Sequence, residues 1–243
     1  MPKPYLSVII PAYNEAKRIP LTLIDVDRLL RETDYSYEIL VVNDGSEDST
    51  AEVVSRFAGL VKGLRLIDNK ENHGKGFVVR QGMLEAKGAL RLFMDADNST
   101  SVDQVNKMLP YFKEGYDVVI GSRDIKGAEL VPPQPFYKRT LGNVGNLIIQ
   151  TLLLPGIWDT QCGFKCFSEE AAVKVFSIAK INRWGFDVEA LALAKKMGYR
   201  IKEIPVRWVN DPVSHVKLKG YLSSLWDVLR VRWWLWRKKY GEL

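Results

Sequence analysis

Two aspartates one residue apart follow a short apolar run and could together hold a hard cation. Asp95 and Asp97 come directly after Ala89–Met94, which the pattern predicts as a strand. Where a strand opens into a loop, two carboxylates at this spacing can converge on one ion. Mg²⁺ or Mn²⁺ held in this way keeps coordination positions for phosphate oxygens. Because Asp-x-Asp is also a common surface loop, its meaning depends on the elements around it.

The elements that must position this pair alternate between strands and helices. Each apolar run of strand length is followed by a stretch with helical spacing, which favours a parallel sheet covered by helices on both faces. The predicted strands are Tyr5–Ile10, Glu38–Val42, Leu64–Ile67, Ala89–Met94 and Asp117–Ile120. The predicted helices are Lys17–Arg31, Ser49–Phe57, Lys75–Lys87 and Val102–Lys113.

Polar loops follow four of these strands. Ligands of parallel sheets bind outside the carboxyl ends of the strands, so we expect the four loops to line one crevice. They are Pro11–Glu15, Asn43–Ser46, Asp95–Asp97 and Gly121–Arg123.

The carboxyl-terminal half departs from this alternation. After the proline-rich break Pro132–Pro135, the apolar stretch Leu141–Leu154 is predicted as a helix, either in the core or on a membrane surface. The remaining predicted elements are a strand over Cys162–Phe167, a helix capped by Ser168, a helix over Val188–Lys196 and a strand over Arg200–Val206.

The last residues combine tryptophan with dense positive charge. Helical spacing places Leu225, Leu229, Trp233, Trp236 and Tyr240 on one face of a helix. Arg230, Arg232, Arg237, Lys238 and Lys239 supply positive charge. Tryptophan and basic residues favour an anionic lipid surface, so we predict interfacial binding. The alternative is that this face packs onto the protein or onto a partner chain.

Composition limits the classes of partner. The 243 residues carry a formal net charge of +6, which favours an anionic partner such as a nucleic acid, a nucleotide or an anionic membrane. Cys162 and Cys166 are interpreted as reduced structural thiols of a cytosolic protein, and two histidines offer no zinc-ligand cluster. The sequence shows neither a secretory leader nor an apolar run long enough to cross a bilayer, so we expect a protein that is neither secreted nor transmembrane.

Ordered motifs give the chain a family resemblance. Val8–Glu15, Val42–Ser46, Asn72–Gly76 and Asp95–Asp97 resemble, in order and spacing, the family 2 glycosyltransferases of GT-A fold. Later motifs look like the polyprenyl-phosphate branch of that family, and within it the dolichyl-phosphate β-glucosyltransferases; they are Gly121–Arg123, Asp159–Lys165, Arg183–Glu189 and Glu203–Trp208. The resemblance implies an α/β catalytic domain over 1–216, built on a mixed, mostly parallel sheet covered by helices. Residues 217–243 would follow as an amphipathic membrane-association segment.

The resemblance implies a donor site for a nucleotide sugar. Its residues would be Pro11, Ala12, Tyr13, Glu15, Asp44, Lys75, Asp95, Ala96 and Asp97. Asp97, with Asp95 as a second ligand or a ribose contact, would hold Mg²⁺ or Mn²⁺ against the diphosphate, whose charge grows as it leaves the sugar.

The implied acceptor is a polyprenyl phosphate. Such a phosphate is already ionised and needs positioning and charge compensation more than a base. The candidate phosphate contacts are Arg123, Lys138, Arg139, Arg207 and Lys217, with His215 as a further positive group. Asp187 joins Asp97 and Arg123 as a candidate catalytic residue, although no base role is assigned to it. Asp159 and Glu189 are candidates to hold sugar hydroxyls or to orient the acceptor.

These expectations describe an inverting hexosyltransferase on the cytoplasmic face of a membrane. Asn98-Ser99-Thr100 replaces the glutamine-histidine continuation of the mannose-transferring relatives, which favours UDP-glucose as the donor. The alternatives are a GDP-mannose-dependent synthase, another transferase of the same fold, or a non-catalytic nucleotide- or membrane-binding module. No nucleic-acid partner is expected, because the basic residues cluster near the chain end. Peripheral residence, shared with a membrane partner or a second copy of the chain, completes the prediction.

Overall fold

A computed structural model describes residues 3–132, 145–209 and 218–242. The strands, in chain order, are β1 (Leu6–Ala12), β2 (Tyr37–Asp44), β3 (Leu64–Asn69), β4 (Leu90–Met94), β5 (Val118–Ser122), β6 (Glu129–Val131), β7 (Phe164–Ser168), β8 (Ile201–Pro205) and β9 (Arg207–Val209). The helices are α1 (Ile19–Arg31), α2 (Thr50–Phe57), α3 (Lys75–Glu85), α4 (Leu109–Lys113), α5 (145–152), α6 (Glu169–Ile178), α7 (Phe186–Lys196) and α8 (Leu218–Trp236).

Seven strands form one sheet in the order β3-β2-β1-β4-β7-β5-β8. All neighbours are parallel except β7, which runs antiparallel between β4 and β5. The two short strands β6 and β9 pair separately in parallel. This confirms the predicted α/β class with a mixed, mostly parallel sheet.

Alternate strand residues supply two cores, one on each face of the sheet. Val8 and Ile10 pack with α1 on one face, whereas Ile9 packs with α3 and α7 on the other. Both faces are covered, which explains why the strands read as continuous apolar runs instead of alternating ones.

The prediction of a single helix over Val102–Lys113 was wrong. A 3₁₀ helix covers Val102–Lys107, and Met108 separates it from α4, which begins at Leu109. Pro110 has no N–H, and its ring would clash with the carbonyl of Asn106 in a continuous helix. The proline therefore sits in the first turn of a new helix, where the missing donor costs nothing.

Helix α8 divides its apolar residues between two faces. Val228 and Val231 are fully buried against the body of the protein, whereas Trp226, Trp233 and Trp236 are exposed. The predicted face thus differs at Tyr240, which is buried because α8 ends at Trp236 and the chain then turns. The buried face agrees with packing onto the protein, and for the exposed face lipid binding stays a prediction.

Within the described ranges, no helix is both long and apolar enough to cross a membrane. Cys162 and Cys166 are free and buried, as predicted for structural thiols. Burial, helped by the charge of Asp159, raises the pKa of Cys162 to about 12. The predicted helix over Leu141–Leu154 is found at 145–152, and its first residues lie outside the described part of the chain.

Candidate active site

The loops after β1 and β2 are joined by hydrogen bonds into one wall of a crevice. The backbone N–H of Asn14 donates to Oγ of Ser46 at 2.9 Å, and Oδ1 of Asn14 accepts from the N–H of Glu47 at 2.9 Å. The N–H of Glu15 donates to Oγ1 of Thr50 at 2.8 Å. Because β1 and β2 are parallel neighbours, their carboxyl ends meet here, as the sequence predicts.

Tyr13 and Glu15, which were both expected to contact the nucleotide sugar, have different environments. The ring of Tyr13 is 41% exposed, so one face is open to a planar ligand. The carboxylate of Glu15 is instead paired with Arg18, whose Nε and Nη2 lie 2.6 and 2.5 Å from its two oxygens. Tyr13 is therefore the more available of the two for a nucleoside.

The carboxylate of Asp44 fastens the loop that leads into α3. Its oxygens accept hydrogen bonds from the N–H of His73 at 2.8 Å, the N–H of Gly74 at 2.9 Å and Nδ2 of Asn72 at 3.0 Å. Burial raises the pKa of Asp44, and the backbone donors act in the opposite direction. Asp44 was expected to contact the nucleoside; in the structure it positions the residues before Lys75.

Lys75, at the first position of α3, reaches the acidic pair. Its Nζ lies 2.5 Å from Oδ1 of Asp95 and within 6 Å of the ring centroids of Trp184 and Phe186, at 5.8 and 5.9 Å. Burial alone would lower the pKa of Lys75, but the charges of Asp95 and Asp187 outweigh it and raise the pKa. The site therefore contains a fixed cation beside the Asp-x-Asp turn.

The turn that carries Asp97 is held by α1. Oγ1 of Thr22 donates to the carbonyl of Ala96 at 2.6 Å, and Nδ2 of Asn98 donates to Asp25 at 2.9 Å. Asn98 has a φ of +55°, a left-handed conformation that asparagine tolerates. Burial, and then the charge of Asp95, raise the pKa of Asp97.

The acidic pair fits a hard divalent ion that is completed by other ligands. Among the described residues, no group of three or more histidine, cysteine or acidic side chains is arranged to hold a metal. A cation would stabilise the ionised carboxylate of Asp97, whose pKa is raised by burial and by the charge of Asp95, and oxygen ligands suit Mg²⁺ or Mn²⁺. Phosphate oxygens and water would supply the remaining positions.

Gly163 has no side chain and so leaves space for the carboxylate of Asp95. A Cβ added there would lie 2.1 Å from Oδ2 of Asp95, and the carbonyl of Gly163 accepts from the N–H of Asp95 at 3.1 Å. The strand β7 that follows Gly163 is the antiparallel strand beside β4. The backbone of one strand thus shapes the acidic site on the next.

Arg123, at the carboxyl end of β5, forms a bidentate pair with Asp159. Its Nε and Nη2 lie 2.7 and 2.9 Å from Oδ2 and Oδ1, and its guanidinium lies 5.6 Å from the ring centroid of Trp208. Burial acts to raise the pKa of Asp159, but Arg123 lowers it below its ordinary value. Asp159, which was expected to hold a sugar hydroxyl or orient the acceptor, therefore orients the candidate phosphate clamp.

Asp187 pairs with Lys165, which was not among the site residues predicted from the sequence. Nζ of the fully buried Lys165 lies 2.5 Å from Oδ1 of Asp187 and also donates to the carbonyl of Cys162. Burial raises the pKa of Asp187, opposed by Lys165 and Lys75. A lysine inside the apolar run Phe164–Phe167 was the sequence signal for this pair.

Glu189 does not face the crevice with a free carboxylate. Its oxygens accept from the N–H groups of Lys180 and Ile181 at 2.9 and 2.8 Å and from the hydroxyl of Tyr240 at 2.6 Å. Among the other acceptor candidates, Arg207 is exposed and lies 3.9 Å from Glu129. Lys138, Arg139, His215 and Lys217 lie outside the described residues.

Sheet order, the crevice at the strand ends and the Asp-x-Asp turn together define a glycosyltransferase of GT-A fold. Residues 7–176 match the model of glycosyl transferase family 2, and the chain belongs to this family. The predicted family resemblance is therefore confirmed.

Known proteins support both the family and the fold. The dolichyl-phosphate β-glucosyltransferase of Dictyostelium discoideum is 38% identical over 243 residues, covering 94% of this chain and 74% of the relative. The human protein of the same name is 34% identical, covering 95% of this chain and 76% of the relative.

Solved structures show the same architecture. Mannosyl-3-phosphoglycerate synthase from Rubrobacter xylanophilus has a TM-score of 0.71 at 19% identity, covering 99% of this chain and 76% of that one. Glucosyl-3-phosphoglycerate synthase from Mycobacterium tuberculosis, in complex with Mn²⁺, UDP and glucosyl-3-phosphoglycerate, has a TM-score of 0.68 at 17% identity, covering 94% and 78%. At these identities the likeness establishes the fold.

Proposed function

We propose that this chain is an inverting hexosyltransferase that moves glucose from UDP-glucose to a dolichyl or other polyprenyl monophosphate. The observation that carries the proposal is the Asp95–Asp97 turn with Lys75 beside it, at the carboxyl ends of the parallel strands. The names of the 34–38% identical relatives supply the sugar and the acceptor.

The donor side of the crevice handles the diphosphate. Bound at Asp95 and Asp97, Mg²⁺ or Mn²⁺ would neutralise charge on the departing phosphate. Lys75 lies near enough to Asp95 to contact the same phosphate oxygens, and its raised pKa keeps it charged. The half-exposed ring of Tyr13 offers a stacking surface to the uracil.

The acceptor side begins at Arg123. Asp159 holds its guanidinium through Nε and Nη2, and within the described ranges Nη1 is the guanidinium nitrogen that remains for an incoming phosphate. The acceptor phosphate is already ionised at neutral pH, so attack on the anomeric carbon needs alignment more than proton removal. Attack opposite the leaving diphosphate gives inversion.

We place the enzyme peripherally on the cytoplasmic face of a membrane. Trp226, Leu229, Trp233 and Trp236 are spaced three or four residues apart and form one exposed stripe on α8, which we name the tryptophan stripe. Exposed Arg232 and Arg237 lie on the same helix or directly after it, so an anionic lipid surface matches both its apolar and its charged residues.

A transfer assay tests the proposed function. UDP-glucose and GDP-mannose, each radiolabelled in the sugar, are offered separately with polyprenyl phosphate in detergent and Mn²⁺. We expect label in the extracted lipid from UDP-glucose and a β-linked product by proton NMR. Label from GDP-mannose alone would replace the proposal with a mannose synthase, and an α-linked product would contradict inversion.

A further inference from the structure

Helix α8 and the turn 237–240 after it contact the connection between α6 and α7 at two separate points. We call this connection, together with Phe186 at the start of α7, the loop 180–186. At one point the side chain of Asp227 in α8 lies directly against the backbone of Gly185. At the other, the hydroxyl of Tyr240 donates to Glu189 at 2.6 Å, and Nζ of Lys180 donates to the carbonyl of Lys239 at 2.6 Å. Asp227, in α8, and Tyr240, in the turn after it, are both buried, although α8 exposes several tryptophans.

The contact at Gly185 leaves no space for a side chain on that residue. A Cβ added to Gly185 would lie 2.4 Å from Cβ of Asp227. Such a close approach of backbone to helix fixes the position of the loop relative to α8, since neither side can slide without overlap.

The same loop forms the support beneath the donor site. The carbonyl of Asn182 accepts from the N–H of Phe77 in α3 at 3.1 Å, and a Cβ on Gly74 would lie 2.5 Å from that carbonyl. The rings of Trp184 and Phe186 lie under Nζ of Lys75. Any movement of the loop therefore moves the amino-terminal turn of α3 and the ammonium of Lys75.

We propose that α8 and the turn after it position the donor site. Asp227 acts on the loop 180–186 directly, Tyr240 acts on it through Glu189, and the loop sets the place of Lys75. Neither side chain is a catalytic residue, because each acts through the loop. This inference deepens the proposed function and rests on it for the identity of the nucleotide. It assigns α8 a role that is independent of whether its outer face binds lipid.

The chain offers matched variants for a test. Asp227→Ala removes the carboxylate that lies against Gly185, whereas Asp227→Asn keeps a side chain of the same shape there. Arg230→Gln removes the ion pair between Arg230 and Asp227, at 3.3 Å within the helix, and leaves the Gly185 contact in place. Tyr240→Phe removes only the hydroxyl that Glu189 accepts.

The measurement is UDP affinity by calorimetry with Mn²⁺, at a temperature at which thermal unfolding shows every variant fully folded. We expect Asp227→Ala, which loses a close packing contact, and Tyr240→Phe, which loses a hydrogen bond, to raise the Kd for UDP by about three- to tenfold. Asp227→Asn and Arg230→Gln should stay within about twofold of the parent chain. In the transfer assay, the KM for the donor should rise with the KM for the acceptor unchanged.

Other results would overturn the inference, the proposed function or both. If Asp227→Ala and Tyr240→Phe lower the unfolding temperature but leave the Kd for UDP and the donor KM unchanged, α8 is only structural and the inference is wrong. A parent chain that binds UDP yet transfers no sugar would overturn the proposed function while the variant series still decides the positioning role. A parent chain that binds no nucleotide would overturn both.

Discussion

The ammonium of Lys75 lies 2.5 Å from Oδ1 of Asp95, so the acidic pair already has one protein cation beside it. Lys75 is the first residue of α3 and Asp95 follows β4, and the loop that leads into α3 is fastened by Asp44 at the end of β2. A bound diphosphate would therefore meet positive charge from the protein on one side of Asp95.

Replacing Lys75 should weaken donor binding. We expect Lys75→Gln to raise the Kd for UDP-glucose about tenfold, because a charge-assisted contact to phosphate is lost. Calorimetry in Mn²⁺ measures this change. Lys70→Gln is the matched control, since Lys70 lies shortly before the same loop, is 84% exposed and pairs with Asp68. Equal affinities for the two variants would contradict a role for Lys75.

Replacing Asp97 should separate activity from stability. Burial and the charge of Asp95 raise the pKa of Asp97 above 3.8, so its ionised form destabilises the unliganded fold. Asp97→Asn should lower transfer by about 100-fold or more while its free energy of unfolding equals or exceeds that of the parent. The gain in stability of Asp97→Asn over the parent chain should be present at pH 7. It should vanish as the pH falls below about 4, where Asp97 is neutral in both the folded and the unfolded parent chain. Chemical denaturation across this range checks the sign; an advantage that grows towards acid would contradict it.

A methyl group at Gly163 should displace the carboxylate of Asp95. The added Cβ would lie 2.1 Å from Oδ2, so Gly163→Ala should cost about 1–3 kcal/mol of stability and abolish Mn²⁺-dependent UDP binding. Gly59→Ala is the control, because a Cβ there meets nothing within 4 Å. Intact Mn²⁺-dependent binding in Gly163→Ala would show that Asp95 is not needed for the metal.

Removing Arg123 should be costly because Asp159 is fully buried. Arg123→Met leaves that carboxylate without its partner, and we expect a loss of about 3–5 kcal/mol in the free energy of unfolding. Arg207→Met, which breaks an exposed pair at 3.9 Å with Glu129, should cost less than about 1 kcal/mol. Since Arg123 lowers the pKa of Asp159, the stability of this pair should persist at neutral pH and be lost as the pH falls through that lowered value. Equal losses in the two variants at pH 7 would contradict a buried pair.

The tryptophan stripe should carry membrane binding. Replacing Trp226, Trp233 and Trp236 with serine should remove most flotation with vesicles that contain anionic lipid, because the exposed apolar area is lost without disturbing the buried side of α8. Leu21→Ser with Ile24→Ser removes exposed apolar side chains from α1 and should leave flotation unchanged. Flotation that is equal in both sets of variants would exclude the stripe as the lipid contact.

Most of the fold could be predicted from the sequence because strands buried on both faces leave continuous apolar runs. The direction of β7 could not, since Cys162–Phe167 is equally apolar whichever way it runs. Pro110 indicated the break at Met108, but the helical spacing of the residues on both sides favoured one continuous helix.

The candidate site was predictable as a set of loops and less so as a set of contacts. Asp95 and Asp97 were placed by their position after β4, which local pattern fixes. The pairing of Arg123 with Asp159, 36 residues apart, depends on how two loops meet in space. The contact between Glu189 and Tyr240 likewise depends on how distant segments meet in space. Glu189 was expected to hold a sugar hydroxyl or to orient the acceptor, and in the structure it accepts a hydrogen bond from Tyr240.

The most direct test of the account is glucose transfer from labelled UDP-glucose to polyprenyl phosphate by the full chain. Three reactions are compared: the parent chain with Mn²⁺, the parent chain with chelator, and Asp97→Asn with Mn²⁺. We predict labelled lipid in the first reaction alone. Equal labelling in all three reactions, or none in the first, would contradict the account.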